Sequence, residues 1–331
     1  MGKYEDLLGK TVFLLKKLKK DRYSVLFDTT NGCNLRCTFC SRNNDRITQM
    51  SVEEFDSILN KVHKNVNALQ LSCAWEYSIA NNAAEIIRTL GRYSLPQTTI
   101  YTNGNILTDD IAKAMIEAEI NDFVVSIGEV KKETYERLRV GGKFDCVVSN
   151  IRKLENFKKE HRSQFPRICA NLTVVNSNIG ELIEFVDLAY SVGIERIIGR
   201  HLILNEGLDM EKEMVTDISL ANSIINTADN KALKYGMSFS IPKYEESFQA
   251  KTCRAPWHQL YVSSNGDVSV CPRIHMYEKM GNLLTDNFSR ILKGREMRSL
   301  KQQFDNLHFN NPVCGICMEN CETKQAIDQG F

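Results

Sequence analysis

Three cysteines fall within one short stretch, Cys33-Asn-Leu-Arg-Cys37-Thr-Phe-Cys40, directly after the apolar run Ser24-Val-Leu-Phe-Asp-Thr-Thr. Thiolates are soft ligands that select iron–sulfur clusters or zinc. Three of them in one tight loop can hold three corners of an iron–sulfur cube and leave the fourth iron open to a substrate or cofactor. Zinc, or cysteines that merely pack, is the plain alternative. Structural zinc sites, however, usually take four protein ligands as two separated pairs, and a three-residue gap followed by a two-residue gap fits that poorly.

A second set of cysteines lies far downstream. Val262-Ser-Ser-Asn-Gly-Asp-Val-Ser-Val-Cys271 reads as two short β runs joined by a Ser-Asn-Gly-Asp hairpin turn, and Cys253 precedes it in Cys253-Arg-Ala-Pro-Trp-His. A knot follows, Cys314-Gly-Ile-Cys317-Met-Glu-Asn-Cys321. Cys253, Cys271, Cys314 and Cys317 together give four thiolates, enough to enclose a second cluster. Four cysteines from a hairpin and a C-x2-C knot are also how zinc ribbons are built, so zinc competes for this site. Cys321 is either an alternative ligand or a free thiol.

These groups need a scaffold, and the pattern between them supplies one. From Ser24 to Gly236, short apolar runs alternate with longer amphipathic stretches, as in repeated βα units with a parallel sheet. Expected strands are Val25–Asp28, Ala68–Ser72, Gln97–Tyr101, Asp122–Ser126, Arg167–Val174 and Ile194–Leu202. Expected helices are Ser51–Val66, Asn82–Tyr93, Asp109–Glu119, Lys131–Arg139, Cys146–His161, Ile179–Val192 and Ile218–Tyr235. Six such units suit a partial (β/α)6 barrel, although periodicity alone also allows an open doubly wound sheet. In both, a site gathers at the C-terminal ends of the strands. The expected organisation is a helical extension over 1–23, a barrel over 24–236 and a small cysteine-rich domain over 237–331. The run Lys16-Lys-Leu-Lys-Lys-Asp-Arg22 reads as a solvated helix end with no assigned role.

The 331 residues carry 42 Lys+Arg against 41 Asp+Glu, a net charge of +1, so no global field points to nucleic acid or membrane. With 43% hydrophobic residues a real core is expected. No apolar run reaches the length of a membrane span, and Met-Gly-Lys-Tyr-Glu-Asp has no signal-peptide pattern. Eleven cysteines in so long a chain then suit a reducing cytoplasm better than a disulfide framework.

The C-x3-C-x2-C loop after a first strand resembles that of the radical S-adenosylmethionine (radical SAM) superfamily. The order of the later turns adds to the resemblance: Leu71-Ser-Cys-Ala-Trp-Glu76, Tyr101-Thr-Asn-Gly104 and Ser126-Ile-Gly-Glu129. The resemblance implies that Cys33, Cys37 and Cys40 ligate a [4Fe–4S] cluster that binds SAM and cleaves it reductively to a 5′-deoxyadenosyl radical. It also implies SAM contacts from Phe39, Glu76, Thr102, Asn103, Ser126, Glu129, Asn176 and Arg200. At the second turn the usual Gly-Gly-Glu is replaced around Cys73 and Ala74, while Glu76 keeps the acid that could meet the SAM ammonium group. Asn176 and Asn178 also suit a helix cap, and Arg200 or His201 could meet an anionic or hydroxylated substrate.

The C-x12-G-x4-C spacing from Cys253 through Gly266 to Cys271, with the terminal knot, is similar to the SPASM or twitch domain appended to many radical SAM enzymes. A full SPASM domain has seven or more cysteines and this segment has five, so one auxiliary [4Fe–4S] cluster is implied. The resulting expectation is an oxidoreductase or isomerase that abstracts a hydrogen atom from a small polar substrate (a sugar, aminocyclitol or nucleotide-sugar). The net outcome would be dehydrogenation or epimerisation, with a flavodoxin- or ferredoxin-type reductant. Modification of a ribosomally made peptide is the alternative, with Cys321 as a candidate hydrogen donor. Cys146 and Cys169 are expected simply to be buried inside regular elements. A non-catalytic iron–sulfur or zinc module is the alternative of another class.

Overall fold

The run Tyr23-Ser-Val-Leu-Phe27 (β1) is buried at every position, as a parallel strand covered on both faces must be. The computed structural model describes residues 22–41, 46–202, 209–244 and 253–319. From β1 the chain passes through the cysteine loop, which contains the two-residue β2 (Arg36–Cys37), to α1 (Val52–Val62) and β3 (Val66–Leu71). It continues through α2 (Ala83–Gly91), β4 (Thr98–Thr102), α3 (Asp109–Glu117), β5 (Asp122–Val125), α4 (Lys132–Leu138), β6 (Arg139–Val140) and α5 (Phe144–Glu160). Next come β7 (Arg167–Val174), α6 (Asn176–Ile179), α7 (Leu182–Ser191), β8 (Arg196–His201), α8 (Ile218–Lys234) and β9 (Ser238–Ser240). The C-terminal part holds α9 (Ala255–His258), β10 (Gln259–Val262), β11 (Asp267–Ser269), β12 (Gly281–Asn282), α10 (Phe288–Lys293), α11 (Arg295–Asp305) and α12 (Pro312–Glu319).

All six expected strands form, in the sheet order β12-β11-β10-β1-β3-β4-β5-β7-β8-β9. Every pair from β10 across to β9 is parallel, and only the hairpin strands β11 and β12 are antiparallel. The two edge strands do not pair with each other, so the sheet is an open, partial barrel. Two junctions differ from a division at Gly236. β9 lies beyond that point yet pairs with β8, and β10 pairs with β1 in register Val25↔Leu260 and Phe27↔Val262. The cysteine hairpin is therefore welded to the first strand.

Strand alternation sorts the side chains into two sets. Phe27, Leu71, Ile100 and Phe123 pack outward in the main core beneath the helices. Phe27 meets Phe55 of α1 edge-on at 4.9 Å, a contact worth about 0.5–1.5 kcal/mol beyond its buried area. Val124, Cys169 and Ile198 turn the other way and, with Tyr101, form a separate small cluster that floors the barrel interior. Below this floor a cavity of about 340 Å³ with mixed polar and apolar walls lies among the N-terminal halves of the strands. The helices start where the sequence caps them. Ser51 and Glu54 form a reciprocal capping box on α1, and Thr108 and Asp217 cap α3 and α8. No helix among the described residues is long and apolar enough to cross a membrane.

Candidate active site

The cysteine loop leaves β1 at the C-terminal end of the sheet. The sulfur of Cys33 accepts from the backbone N–H of Leu35 at 3.4 Å and from Nδ2 of Asn103 at 3.9 Å. The Cys40 N–H donates to the carbonyl of Cys37 at 3.1 Å, turning the loop back on itself. Cys37 lies in a ribbon that sequence reasoning missed: β2 pairs antiparallel with β6, placing Cys37 opposite Arg139. The N–H of Thr38 extends this pairing with a bond to the Leu138 carbonyl at 2.9 Å. The ten described cysteines form no disulfide with one another. Burial pushes Cys33 up to about 11, and the neighbouring charges of Glu76, Cys37 and Cys40 add to the rise. Burial also raises Cys37, while Arg139 pulls it back down. Three thiols that feel one another's charge are suited to a cationic centre that would displace their protons. The donors at this loop are thiols alone, which fits an iron–sulfur cluster. A lone zinc ion draws its sulfurs to about 2.3 Å from one point. Among the described residues no group of three or more potential ligands is closed around a single ion in that way.

The next two turns support the loop. Glu76 is buried, and its N–H donates to the Gly32 carbonyl at 2.9 Å. Its Oε1 accepts from the Ser78 hydroxyl at 2.7 Å, the Ser78 N–H at 3.3 Å and the Thr102 hydroxyl at 2.8 Å. Its Oε2 accepts from the Asn103 N–H at 2.6 Å. The carboxylate expected to face the SAM ammonium group thus binds the turns after β3 and β4 together. Burial raises its pKa, and the four hydrogen bonds oppose that rise. Asn103 passes the support on, with Nδ2 donating to Asn34 Oδ1 at 2.7 Å inside the cysteine loop. Gly104 is required here: its φ is +75°, and a Cβ would stand 2.7 Å from Val125 Cγ1.

Where glycines were expected, Asp28 holds the backbone instead. Its carboxylate accepts from the N–H of Cys73 at 2.7 Å and of Ala74 at 3.1 Å, and from the Tyr261 hydroxyl at 2.8 Å. Tyr261 is on β10, so one buried acid links the turn after β3 to the C-terminal hairpin. The sequence signal for this was an acid at the end of an otherwise apolar strand.

The remaining predicted residues separate into two groups. Ser126 is half-buried at the end of β5, with its N–H on the Thr102 carbonyl at 2.8 Å, and Arg200 lies exposed on the interior face of β8. There its charge reaches the Tyr101 hydroxyl. Phe39 presents its ring to the Arg139 guanidinium at 5.1 Å. Glu129, in contrast, is fully buried: Oε1 accepts from Asn178 Nδ2 at 3.2 Å, and Oε2 is 3.7 Å from Arg139 Nε. It is turned into the protein because the buried guanidinium needs a counter-charge. Asn176 is exposed at the start of α6 and has no side-chain hydrogen bond among the described residues, whereas Asn178 caps the turn by accepting from the Val175 N–H at 2.9 Å. His201 faces away from the interior, stacked on Tyr244 with Nε2 beside the Pro242 carbonyl at 2.9 Å. Cys169 is buried as expected, but Cys146 is exposed, because the first turn of α5 lies at the surface with its sulfur on the Asn105 carbonyl.

The second cysteine set also converges. Cys253, Cys271, Cys314 and Cys317 lie within reach of one another's charge. Burial pushes Cys253 up to about 11 and Cys314 up to about 12. Arg273 Nη1 donates to Cys317 Sγ at 3.6 Å, and the Cys314 N–H is held by Asn311 Oδ1 at 2.8 Å. Gly266 makes the hairpin turn at φ +82°, with a Cβ position 2.8 Å from Leu284 Cγ, which explains the glycine in the C-x12-G-x4-C spacing. Cys321 lies outside the described residues.

Two family models match the chain: the radical SAM superfamily over residues 27–189 and an iron–sulfur cluster-binding (SPASM) domain over residues 253–322. An AdoMet-dependent heme synthase of Methanosarcina barkeri is 22% identical over 321 residues, spanning 88% of this chain and 87% of that protein. A probable GTP 3′,8-cyclase of Methanocaldococcus jannaschii is 25% identical over 183 residues, 54% of this chain. The chain covers only 58% of that cyclase's length. The crystal structure of Streptococcus suis SuiB bound to S-adenosylmethionine aligns with a TM-score of 0.73 at 16% identity, covering 97% of this chain and 76% of SuiB, a likeness of fold. These domains imply a SAM-binding [4Fe–4S] cluster and auxiliary iron–sulfur in the C-terminal part. With its loop thiols, its second thiol set and both domain matches in chain order, the protein belongs to the radical SAM superfamily and carries a C-terminal SPASM domain.

Proposed function

We propose that this chain abstracts a hydrogen atom from a small polar substrate held in the barrel interior, with Cys33, Cys37 and Cys40 as ligands of the SAM-binding cluster. The observation that carries this reading is the junction of the cysteine loop with the turns after β3 and β4, through Asn103 and Glu76, at the C-terminal end of the strands. When bound, the cluster and SAM supply a 5′-deoxyadenosyl radical, and one electron comes from a flavodoxin- or ferredoxin-type partner. The protein's own residues position and enclose. Ser126, Thr102 and the backbone near Ala74 surround the place for SAM. The floor of Tyr101, Val124, Cys169 and Ile198 closes the interior below, which keeps water and side reactions from a reactive carbon centre. The Arg200 side chain is exposed and makes no hydrogen bond or ion pair among the described residues, so it is available to an anionic or hydroxylated substrate group. Cys253, Cys271, Cys314 and Cys317 would hold the auxiliary cluster, placed to take up an electron in a net oxidation.

A peptide substrate is the second reading, because SuiB, whose fold extends over 97% of this chain, has also been solved bound to the precursor peptide SuiA. The test is anaerobic reconstitution, an iron and sulfide count, and a search for 5′-deoxyadenosine after adding dithionite and SAM. About eight irons with 5′-deoxyadenosine support the proposal. Cys37→Ala is expected to abolish 5′-deoxyadenosine formation, and retained cleavage would remove the ligand assignment.

A further inference from the structure

Arg139 is almost wholly buried, at 4% exposure, and three elements surround its guanidinium. The ring of Phe39, from the cysteine loop, stands 5.1 Å away, and the ring of Tyr135, from α4, stands 5.7 Å away. Glu129, from the turn after β5, places Oε2 3.7 Å from Nε. That Nε makes no hydrogen bond. Cys37 is directly opposite in the β2–β6 ribbon, so the two side chains share one face of it and the guanidinium's charge reaches the sulfur. Glu129 is fixed in turn by Asn178 Nδ2 at 3.2 Å and the Gly128 N–H at 3.1 Å. A guanidinium without water needs compensating negative charge, and one carboxylate at 3.7 Å with imperfect geometry supplies only part of it. A cluster-bound sulfur at Cys37, which would carry negative charge, would supply the rest.

We propose that Arg139 is a positioning and tuning residue for the SAM-binding cluster: anchored by Glu129 and held between Phe39 and Tyr135, it presses a fixed positive charge on the Cys37 ligand and raises the potential at which the cluster accepts an electron. This rests on the assignment of Cys33, Cys37 and Cys40 as ligands. The physical basis is that hydrogen bonds and positive charge at a cluster sulfur favour the reduced, more negative form. Arg139 acts on the ligand through its charge and leaves the reacting atoms to others.

The experiment is an anaerobic redox titration of the reconstituted full chain, following the cluster signal that changes when SAM is added, with iron counted in parallel. At the wild-type midpoint, Arg139→Gln is expected to lower the reduced-to-oxidised ratio at least tenfold, which for one electron is about 59 mV. Arg139→Lys, which keeps the charge, stays within threefold. Glu129→Gln leaves the guanidinium uncompensated and shifts the ratio upward. Opposite shifts from the two neutralising variants support the proposal, because a merely structural role would give no shift or shifts of one sign. Unchanged ratios, or same-sign shifts, at full iron content overturn it. If Arg139→Gln loses the cluster, an upward shift in Glu129→Gln with Arg139→Lys within threefold supports the proposal, and an unchanged or lowered ratio in Glu129→Gln at full iron content overturns it. A wild-type chain that forms no SAM-responsive cluster overturns the ligand assignment itself, a result distinct from an intact cluster that ignores Arg139.

Discussion

Replacing Glu76 by glutamine keeps the side chain's size and removes its charge, so it tests whether this acid binds the turns together or faces the SAM ammonium group. Its Oε1 receives three donors and its Oε2 receives one, the Asn103 N–H at 2.6 Å. The amide would therefore place its NH2 at the Oε2 position, where one bond is lost instead of three. That sets two donors against each other and leaves a buried Asn103 N–H unsatisfied, at about 1–3 kcal/mol. The three remaining bonds become neutral, losing roughly 1 kcal/mol apiece, and relief from burying a charge offsets part of this. The net expectation is a loss of about 2–4 kcal/mol in urea unfolding of the reconstituted protein. Iron content should fall with it, because Asn103 also donates to Cys33 and to Asn34. A stability change under about 0.5 kcal/mol with full iron but weakened SAM binding would refute the reasoning and return Glu76 to the SAM ammonium group.

Tyr261→Phe removes a buried hydroxyl from the Asp28 carboxylate at 2.8 Å and is expected to cost about 1.5–3 kcal/mol in denaturant unfolding, a value near zero being the contrary result. Gly266→Ala forces a left-handed conformation and a Cβ at 2.8 Å from Leu284, at about 2–4 kcal/mol together. Its readout is loss of the C-terminal iron while SAM cleavage persists, and full iron in this variant would show that the hairpin turn does not position Cys271. In the metal-free protein, burial holds Cys253 at about 11 and Cys314 at about 12, both above the unfolded value of about 8.5. The sign follows from linkage: these thiols add stability below about pH 8.5 that is lost as pH rises through the folded values. Unfolding midpoints of apo-protein between pH 8 and 11 should therefore fall, and a flat profile would count against burial of these thiols.

The cysteine loop was legible because its three candidate ligands are neighbours along the chain, so their spacing alone limits what they can hold. The strands were legible because apolar runs buried on both faces have few other uses in a chain of alternating helices, and β7 has the boundaries expected from its sequence, Arg167–Val174. The roles of Glu76, Glu129 and Arg139 were not legible. Each depends on partners 27, 49 or about a hundred residues away, brought near by sheet order and register. In sequence, Glu76 is an acid after a strand; in the fold, two turns converge on its two oxygens. Arg139 follows a helix as any basic residue might, until a two-residue ribbon sets it against Cys37. Sequence by itself determined the ligand types and the βα repeat, because both are local patterns. Only the tertiary structure decided which charges are buried and what compensates them, because the cost of a charge depends on surroundings that distant strands assemble.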